Sequence, residues 1–245
     1  MKARENEIAD ELQASLLPED TFDLQCLEVA TCYRAGVEGT QVGGDWYDVI
    51  GLPEGRTALV VGDVMGRGVR AAAVMGQVRT AVRAYAKIGL PPDELMGSLD
   101  HLVCDLFPEQ VVTCVYAVFD PADLSLRFVN AGHPPPLLTH PDGACLRVTA
   151  DTHPPLGVGR PFGEEHQVHL VPGAGVVLYT DGLVESRGAT IEAGIESLRE
   201  AVAGLDVPLP EVPEALVRAR LPHGTNDDVA ILVARVPPER ATTRD

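Results

Sequence analysis

The sequence predicts an α+β fold in which antiparallel sheets are flanked by helices. Strand-like apolar runs occur in consecutive blocks joined by turn residues, and helical periodicities occur in pairs between those blocks. Strand and helix do not alternate as a doubly wound parallel sheet requires. The 245 residues are 45% hydrophobic, enough for a sizeable core, and no low-complexity tract or linker divides them. One large domain is expected over 19–237, preceded by an amphipathic helix at 1–18 and followed by a disordered tail at 238–245.

Residues 5–17 place Ile8, Leu12 and Leu16 four apart and stop at Pro18, which describes a short helix with one narrow apolar stripe. Such a helix is marginal alone in water. It either packs on the domain body or ends a longer helix from an upstream sensor domain, pairing with a second copy of itself as a homodimer. Strand-like runs follow at 27–33, 46–52 and 57–62, the last two joined through Pro53, Glu54 and Gly55 as a hairpin. Over 68–86 the period changes: Ala71, Val74, Met75, Val78, Val82 and Tyr85 share one helix face, with Arg70, Arg79 and Arg83 off it. A second helix over 93–106 repeats the pattern with Leu95, Leu99, Leu102, Val103 and Leu106. Strands at 111–119 and 124–130 flank the turn Asp120-Pro121-Ala122-Asp123, and shorter ones at 136–139 and 145–148 flank Pro141-Asp142-Gly143. Strands at 167–171, 175–180 and 229–236 complete the set, with helices at 190–203 and 211–221 before the last of them.

With 36 acidic against 19 basic residues the chain carries a formal charge of -17, which argues against nucleic acid as a partner, since that binding relies on Lys and Arg neutralising phosphates. The same charge disfavours an anionic membrane surface. The longest apolar stretch, 111–119, is too short to span a bilayer, and the charged N-terminus lacks the apolar core of a secretory signal. Five cysteines, odd in number and without a C-x-x-C pair, sit mostly among apolar neighbours as free thiols do. A cytoplasmic, reducing location fits.

Four segments present aspartate: Gly43-Gly44-Asp45-Trp46-Tyr47-Asp48, Val60-Val61-Gly62-Asp63-Val64-Met65-Gly66, Leu178-Tyr179-Thr180-Asp181-Gly182 and Thr225-Asn226-Asp227-Asp228. Three abut strand-like runs, so a rigid sheet can aim the carboxylates at one point. Converging carboxylates repel unless something positive lies between them, and Mg²⁺ or Mn²⁺ prefer oxygen ligands. Two such ions about 3.5 to 4 Å apart can deprotonate a shared water and stabilise an in-line displacement at phosphorus without a protein nucleophile. Gly43, Gly44, Gly62 and Gly182 are expected to remove bulk where backbone approaches the ions, with Gly66 as further supporting backbone, and Val64 is placed to offer a carbonyl.

Together with Leu12-Gln13-Ala14-Ser15-Leu16-Leu17-Pro18, Asn130-Ala131-Gly132-His133-Pro134-Pro135-Pro136 and Asp228-Val229-Ala230-Ile231-Leu232-Val233, these segments resemble the PPM-type metal-dependent Ser/Thr protein phosphatases, in their SpoIIE-like, sigma-factor regulatory branch. The resemblance implies a four-layer αββα sandwich, two antiparallel sheets between helix pairs, with a binuclear Mn²⁺ or Mg²⁺ site at one edge. It implies that Asp63 bridges both ions, that Asp45 and the Val64 carbonyl serve one, and that Asp181 and Asp227, or alternatively Asp228, hold the other. The attacking water is then held through Asp63, Asp45 and Asp181. The implied activity is hydrolysis of phosphoserine or phosphothreonine on a regulatory protein, a phosphorylated anti-anti-sigma (STAS-type) factor. The rivals are a catalytically silent module of the same fold that binds a phosphorylated partner, and a hydrolase of small phosphate esters.

Met65 stands where eukaryotic relatives often carry histidine, which leaves the general acid unassigned. Arg67 and Arg34 are the candidates for phosphate contact. His133, in its Gly-His-Pro turn, reads as structural; His166 and His169 lie three apart on a strand and face opposite sides. Ser15 and Ser186 have no His-Asp partner pattern that makes either a nucleophile.

Overall fold

The computed structural model describes residues 24, 26–36, 43–149, 152–186 and 188–238. The helix expected over 1–18 and the tail beyond 238 lie outside the described residues. In chain order the strands are β1 (Glu28–Arg34), β2 (Trp46–Gly51), β3 (Thr57–Val64), β4 (Val112–Asp120), β5 (Ser125–Ala131), β6 (Leu137–Thr139), β7 (Cys145–Arg147), β8 (His166–His169), β9 (Gly175–Tyr179) and β10 (Val229–Arg235). The helices are α1 (Val69–Lys87), α2 (Pro92–Leu106), α3 (Ile191–Ala203) and α4 (Val212–Arg220). Among the described residues the strands form two antiparallel sheets, ordered β1-β10-β9-β6-β7 and β2-β3-β4-β5-β8.

Period-two alternation builds the four layers. In β3, Ala58, Val60 and Val64 pack with Met75, Val78, Leu95 and Leu99 under α1 and α2. Leu59 and Val61 face the other way, into the core between the sheets, with Val115, Val176, Leu178, Ala230 and Leu232. On the far side Val177, Tyr179, Ile231 and Val233 meet Ile195, Leu198 and Leu216 of α3 and α4. Because every central strand is covered on both faces, its burial is nearly continuous. The α+β, four-layer expectation is therefore met.

The same parity decides where carboxylates go. Asp63 shares the face of Leu59 and Val61, and Asp45, just before β2, shares the face of Tyr47 and Val49. Both therefore stand where the inter-sheet core reaches its end. Asp48 has the opposite parity and points at the helix layer, where its fully buried carboxylate accepts from Arg79 Nε (3.1 Å), Arg83 Nε (2.6 Å) and Arg83 Nη2 (2.6 Å).

Most boundaries fall within one residue of expectation, and three features depart further. β3 runs on through Asp63 and Val64, because its ladder with β4 continues to the pairs Asp63–Thr113 and Val64–Val112. The β2–β3 connection is a 3-10 turn over Pro53–Gly55 in which Glu54 has φ 63°. The strand expected over 167–171 is the four-residue β8, which starts one residue earlier and ends at His169. No helix among the described residues is long and apolar enough to cross a membrane, and all five cysteines are free.

Candidate metal centre

The four aspartate segments meet at one end of the sandwich. Gly44 O accepts from Val64 N at 3.2 Å, which draws the Asp45 segment onto the end of β3. A Cβ on Gly44 would overlap the Val64 carbonyl oxygen and lie 3.1 Å from Asp63 Oδ1. Gly43 is needed for a similar reason, since a side chain there would occupy the position of the Asp228 carboxylate. A Cβ on Gly182 would meet the Asp228 carbonyl. The glycines thus let protein approach protein, where the sequence had suggested approach to ions. Gly62 is the clearest correction: it is the cross-strand partner of Trp46 and its missing side chain makes room for the indole. Gly66 has φ 112° with open space around it, so its role is conformational.

Asp45 is buried and its Oδ2 has no hydrogen-bond partner. Burial first, and the charges of Asp63 and Asp181 after it, push its carboxyl well above the usual range, against a hydrogen bond from Thr180. Asp63 is raised too, by burial and by the charges of Asp227, Asp228 and Glu185, while Asp45 beside it holds it down. Asp181, in the turn after β9, is raised to about 7 by burial and then by Asp63, Glu185 and Asp227. These groups lie within one another's fields.

Asp227 and Asp228 are held differently. Asp228 is buried; its Oδ1 accepts from Gly36 N at 3.0 Å and Tyr33 also bonds it, so it anchors the chain after β1. Asp227 is partly exposed, pairs with Arg67 (Nη2 to Oδ2, 3.3 Å) and acts on both Asp63 and Asp181. Arg34, the other candidate for phosphate, is engaged bidentately by Glu214 at 2.5 and 2.6 Å. His166 and His169 fall on β8, the edge strand after β5, apart from the aspartate segments.

Three contributors escaped the sequence reading. Glu185 sits one helical turn after Asp181, with its N–H on the Asp181 carbonyl at 2.8 Å. Thr180 Oγ1 accepts from Ala230 N at 2.8 Å, and the same hydroxyl lowers the Asp45 carboxyl beside it. Tyr33 bonds Asp228. The spacing of Glu185 from Asp181 was the available clue; the other two depend on pairing across the sheet.

Among the described residues no three His, Cys, Asp or Glu side chains form a ready-made ligand set. The donor chemistry nevertheless suits a hard divalent cation: carboxylates that repel, one buried carboxylate oxygen without a partner, and a backbone carbonyl alongside.

The two antiparallel sheets between helix pairs are the fold of the PP2C phosphatase domain of SpoIIE from Bacillus subtilis, which superposes with a TM-score of 0.72 at 19% identity, over 88% of this chain and 64% of that one. The chain belongs to the SpoIIE family, whose model, Stage II sporulation protein E, matches residues 53–237. It is 28% identical over 188 residues to phosphoserine phosphatase RsbP of Bacillus subtilis, covering 74% of this chain and 45% of that protein. The RsbU and RsbW domains of Rv1364c from Mycobacterium tuberculosis superpose with a TM-score of 0.80 at 32% identity, over 87% of this chain and 61% of that one. RsbX, solved in complex with magnesium, shares the fold with a TM-score of 0.69 at 13% identity, over 88% of this chain and 98% of that one. The chain thus spans less than half the length of RsbP.

Proposed function

We propose that the chain is a metal-dependent phosphoprotein phosphatase that hydrolyses phosphoserine or phosphothreonine on a phosphorylated anti-anti-sigma (STAS-type) protein. The observation that carries this is the gathering of Asp45, Asp63 and Asp181 at one end of the inter-sheet core, where burial and neighbouring carboxylates raise all three, a cluster in need of positive charge. Kinship with a protein named as a phosphoserine phosphatase supports the reaction class.

Two Mn²⁺ or Mg²⁺ ions held there would activate the attacking water and neutralise the phosphoryl oxygens. Asp63, at the centre of the cluster, would be a ligand to them. Asp45 and the Val64 carbonyl, brought together by the Gly44–Val64 contact, serve one side. Asp181 and Asp227 serve the other. Asp227 is preferred to Asp228 because Asp228 is engaged by Gly36 and Tyr33, whereas Asp227, which like Asp228 acts on Asp63, also acts on Asp181. Arg67, half-exposed and paired with Asp227, is placed to meet an incoming phosphate at the rim.

The test is release of phosphate from a phosphorylated STAS-type protein and from p-nitrophenyl phosphate, with Mn²⁺, with Mg²⁺ and with chelator. Turnover of the phosphoprotein with metal, lost on chelation and in Asp63→Asn, is the expected result. Undiminished turnover in chelator would overturn the metal reading. Binding of the phosphoprotein without turnover would identify a silent module, and turnover of the small ester alone would identify a small-molecule hydrolase.

A further inference from the structure

The two sheets touch through apolar side chains, and such contacts are non-directional. A metal centre needs ligand positions held within about 0.2 Å. His133 makes a directional link across the interface next to the aspartates.

His133 is buried, with 4% of its surface exposed, and both ring nitrogens are engaged. Nε2 lies 3.1 Å from the Tyr179 carbonyl oxygen, and Nδ1 lies 2.7 Å from Thr113 Oγ1. A carbonyl only accepts, so Nε2 carries the proton and Nδ1 accepts from the Thr113 hydroxyl. Thr113 is the cross-strand partner of Asp63 on β4. Tyr179 ends β9, two residues before Asp181. The ring therefore joins the strand pair carrying Asp63 to the strand leading into Asp181, which belongs to the other sheet.

The loop that holds the ring is itself fixed. Asn130 receives the His133 N–H on Oδ1 at 2.8 Å and donates Nδ2 to the His133 carbonyl at 2.9 Å. Gly132 turns at φ 66°, its N–H on the His153 carbonyl at 2.8 Å, where a Cβ would press on the Pro155 ring. With both nitrogens occupied, the imidazole has no lone pair left for a metal or a proton in transit.

We propose that His133 is a positioning residue for the carboxylate centre, setting the gap between Asp63 and Asp181 through its bonds to Thr113 and Tyr179. Burial keeps the ring neutral at neutral pH, its pKa lowered to about 3, so both bonds keep their directions there. The proposal rests on the metal-centre reading above and predicts an effect on metal affinity separable from one on folding.

The experiment is calorimetric titration of Mn²⁺ into metal-free wild type, Thr113→Val, His133→Gln, His133→Leu and Asp63→Asn, with thermal unfolding of each in chelator. Groups that orient metal ligands typically contribute about 10- to 100-fold in affinity. Thr113→Val and His133→Leu should weaken Mn²⁺ binding by that order. His133→Gln, which offers an acceptor and a donor on one amide, should retain more affinity than His133→Leu. Thr113→Val is nearly isosteric, so it decides the matter if His133→Leu does not fold. Wild-type Mn²⁺ affinity in folded Thr113→Val would overturn the positioning role and leave the metal reading standing. No Mn²⁺ binding by the wild type, or full binding by Asp63→Asn, would overturn both.

Discussion

Replacing Asp181 with asparagine is expected to stabilise the metal-free protein while removing its stabilisation by metal. Burial, then the charges of Asp63, Glu185 and Asp227, raise the Asp181 carboxyl from 3.8 to about 7. In the unfolded chain it titrates near 3.9. Between those values the folded state binds more protons than the unfolded state, so the contribution of this group to stability falls as pH rises from about 4 to about 7 and stays low above that. A rise of roughly three pKa units corresponds to about 4 kcal/mol. Asparagine carries no charge and escapes the penalty. The gap between variant and wild type should therefore open from near zero at pH 4 to about 4 kcal/mol at pH 8, each kcal/mol appearing as roughly 2 to 4 °C in Tm for a chain of this size. With Mn²⁺ at 100 times its Kd the wild type regains about 2.7 kcal/mol, and the variant should gain far less. Thermal unfolding of both proteins from pH 4 to 8, in chelator and in Mn²⁺, measures all of this. A gap that does not widen with pH, or an equal Mn²⁺ gain in the variant, would refute the reasoning.

Gly44→Ala places a methyl against the Val64 carbonyl and beside Asp63 Oδ1; overpacking of this kind costs about 1 to 3 kcal/mol, and Mn²⁺ titration should show weakened binding as the Asp45 segment moves off β3. Removing both guanidiniums with Arg79→Ala and Arg83→Ala strands the fully buried Asp48 carboxylate. Loss of the partners of a buried charge costs about 3 to 5 kcal/mol, to be read from urea denaturation at neutral pH.

The elements were legible because their periods differ. The 3.6-residue spacing of Val74, Val78 and Val82 and the two-sided burial of Val229 to Val233 leave little choice of type. The aspartates were legible as a set because each sits at a strand end or turn. Which strands share a sheet was not, since β1 pairs with β10 and β6 with β9 across long stretches of chain. The purpose of Gly62 was hidden for the same reason: the Trp46 indole reaches it only after β2 and β3 pair. Arg79 and Arg83 were visible as residues off the apolar face of α1, but their partner Asp48 lies 31 and 35 positions away. His133 was read as a structural turn, and its loop is one; the bonds from its ring to Thr113 and Tyr179 depend on packing one sheet upon the other.

The ion pair between Asp48 and α1 has a mechanical consequence. Arg79 lies ten residues beyond Val69, so at 1.5 Å per residue the helix is pinned to β2 about 15 Å from its first turn. Sliding α1 along its axis would pull guanidinium from carboxylate inside the protein. Pivoting about the pinned point leaves that contact whole and swings only the leading turn. The joint for such a swing is the stretch through Gly66 and Gly68, both at positive φ and both in open space. Directly upstream stand Asp63 and Val64. Whatever pushes on the start of α1 therefore works an arm hinged at Gly66, three residues from Asp63.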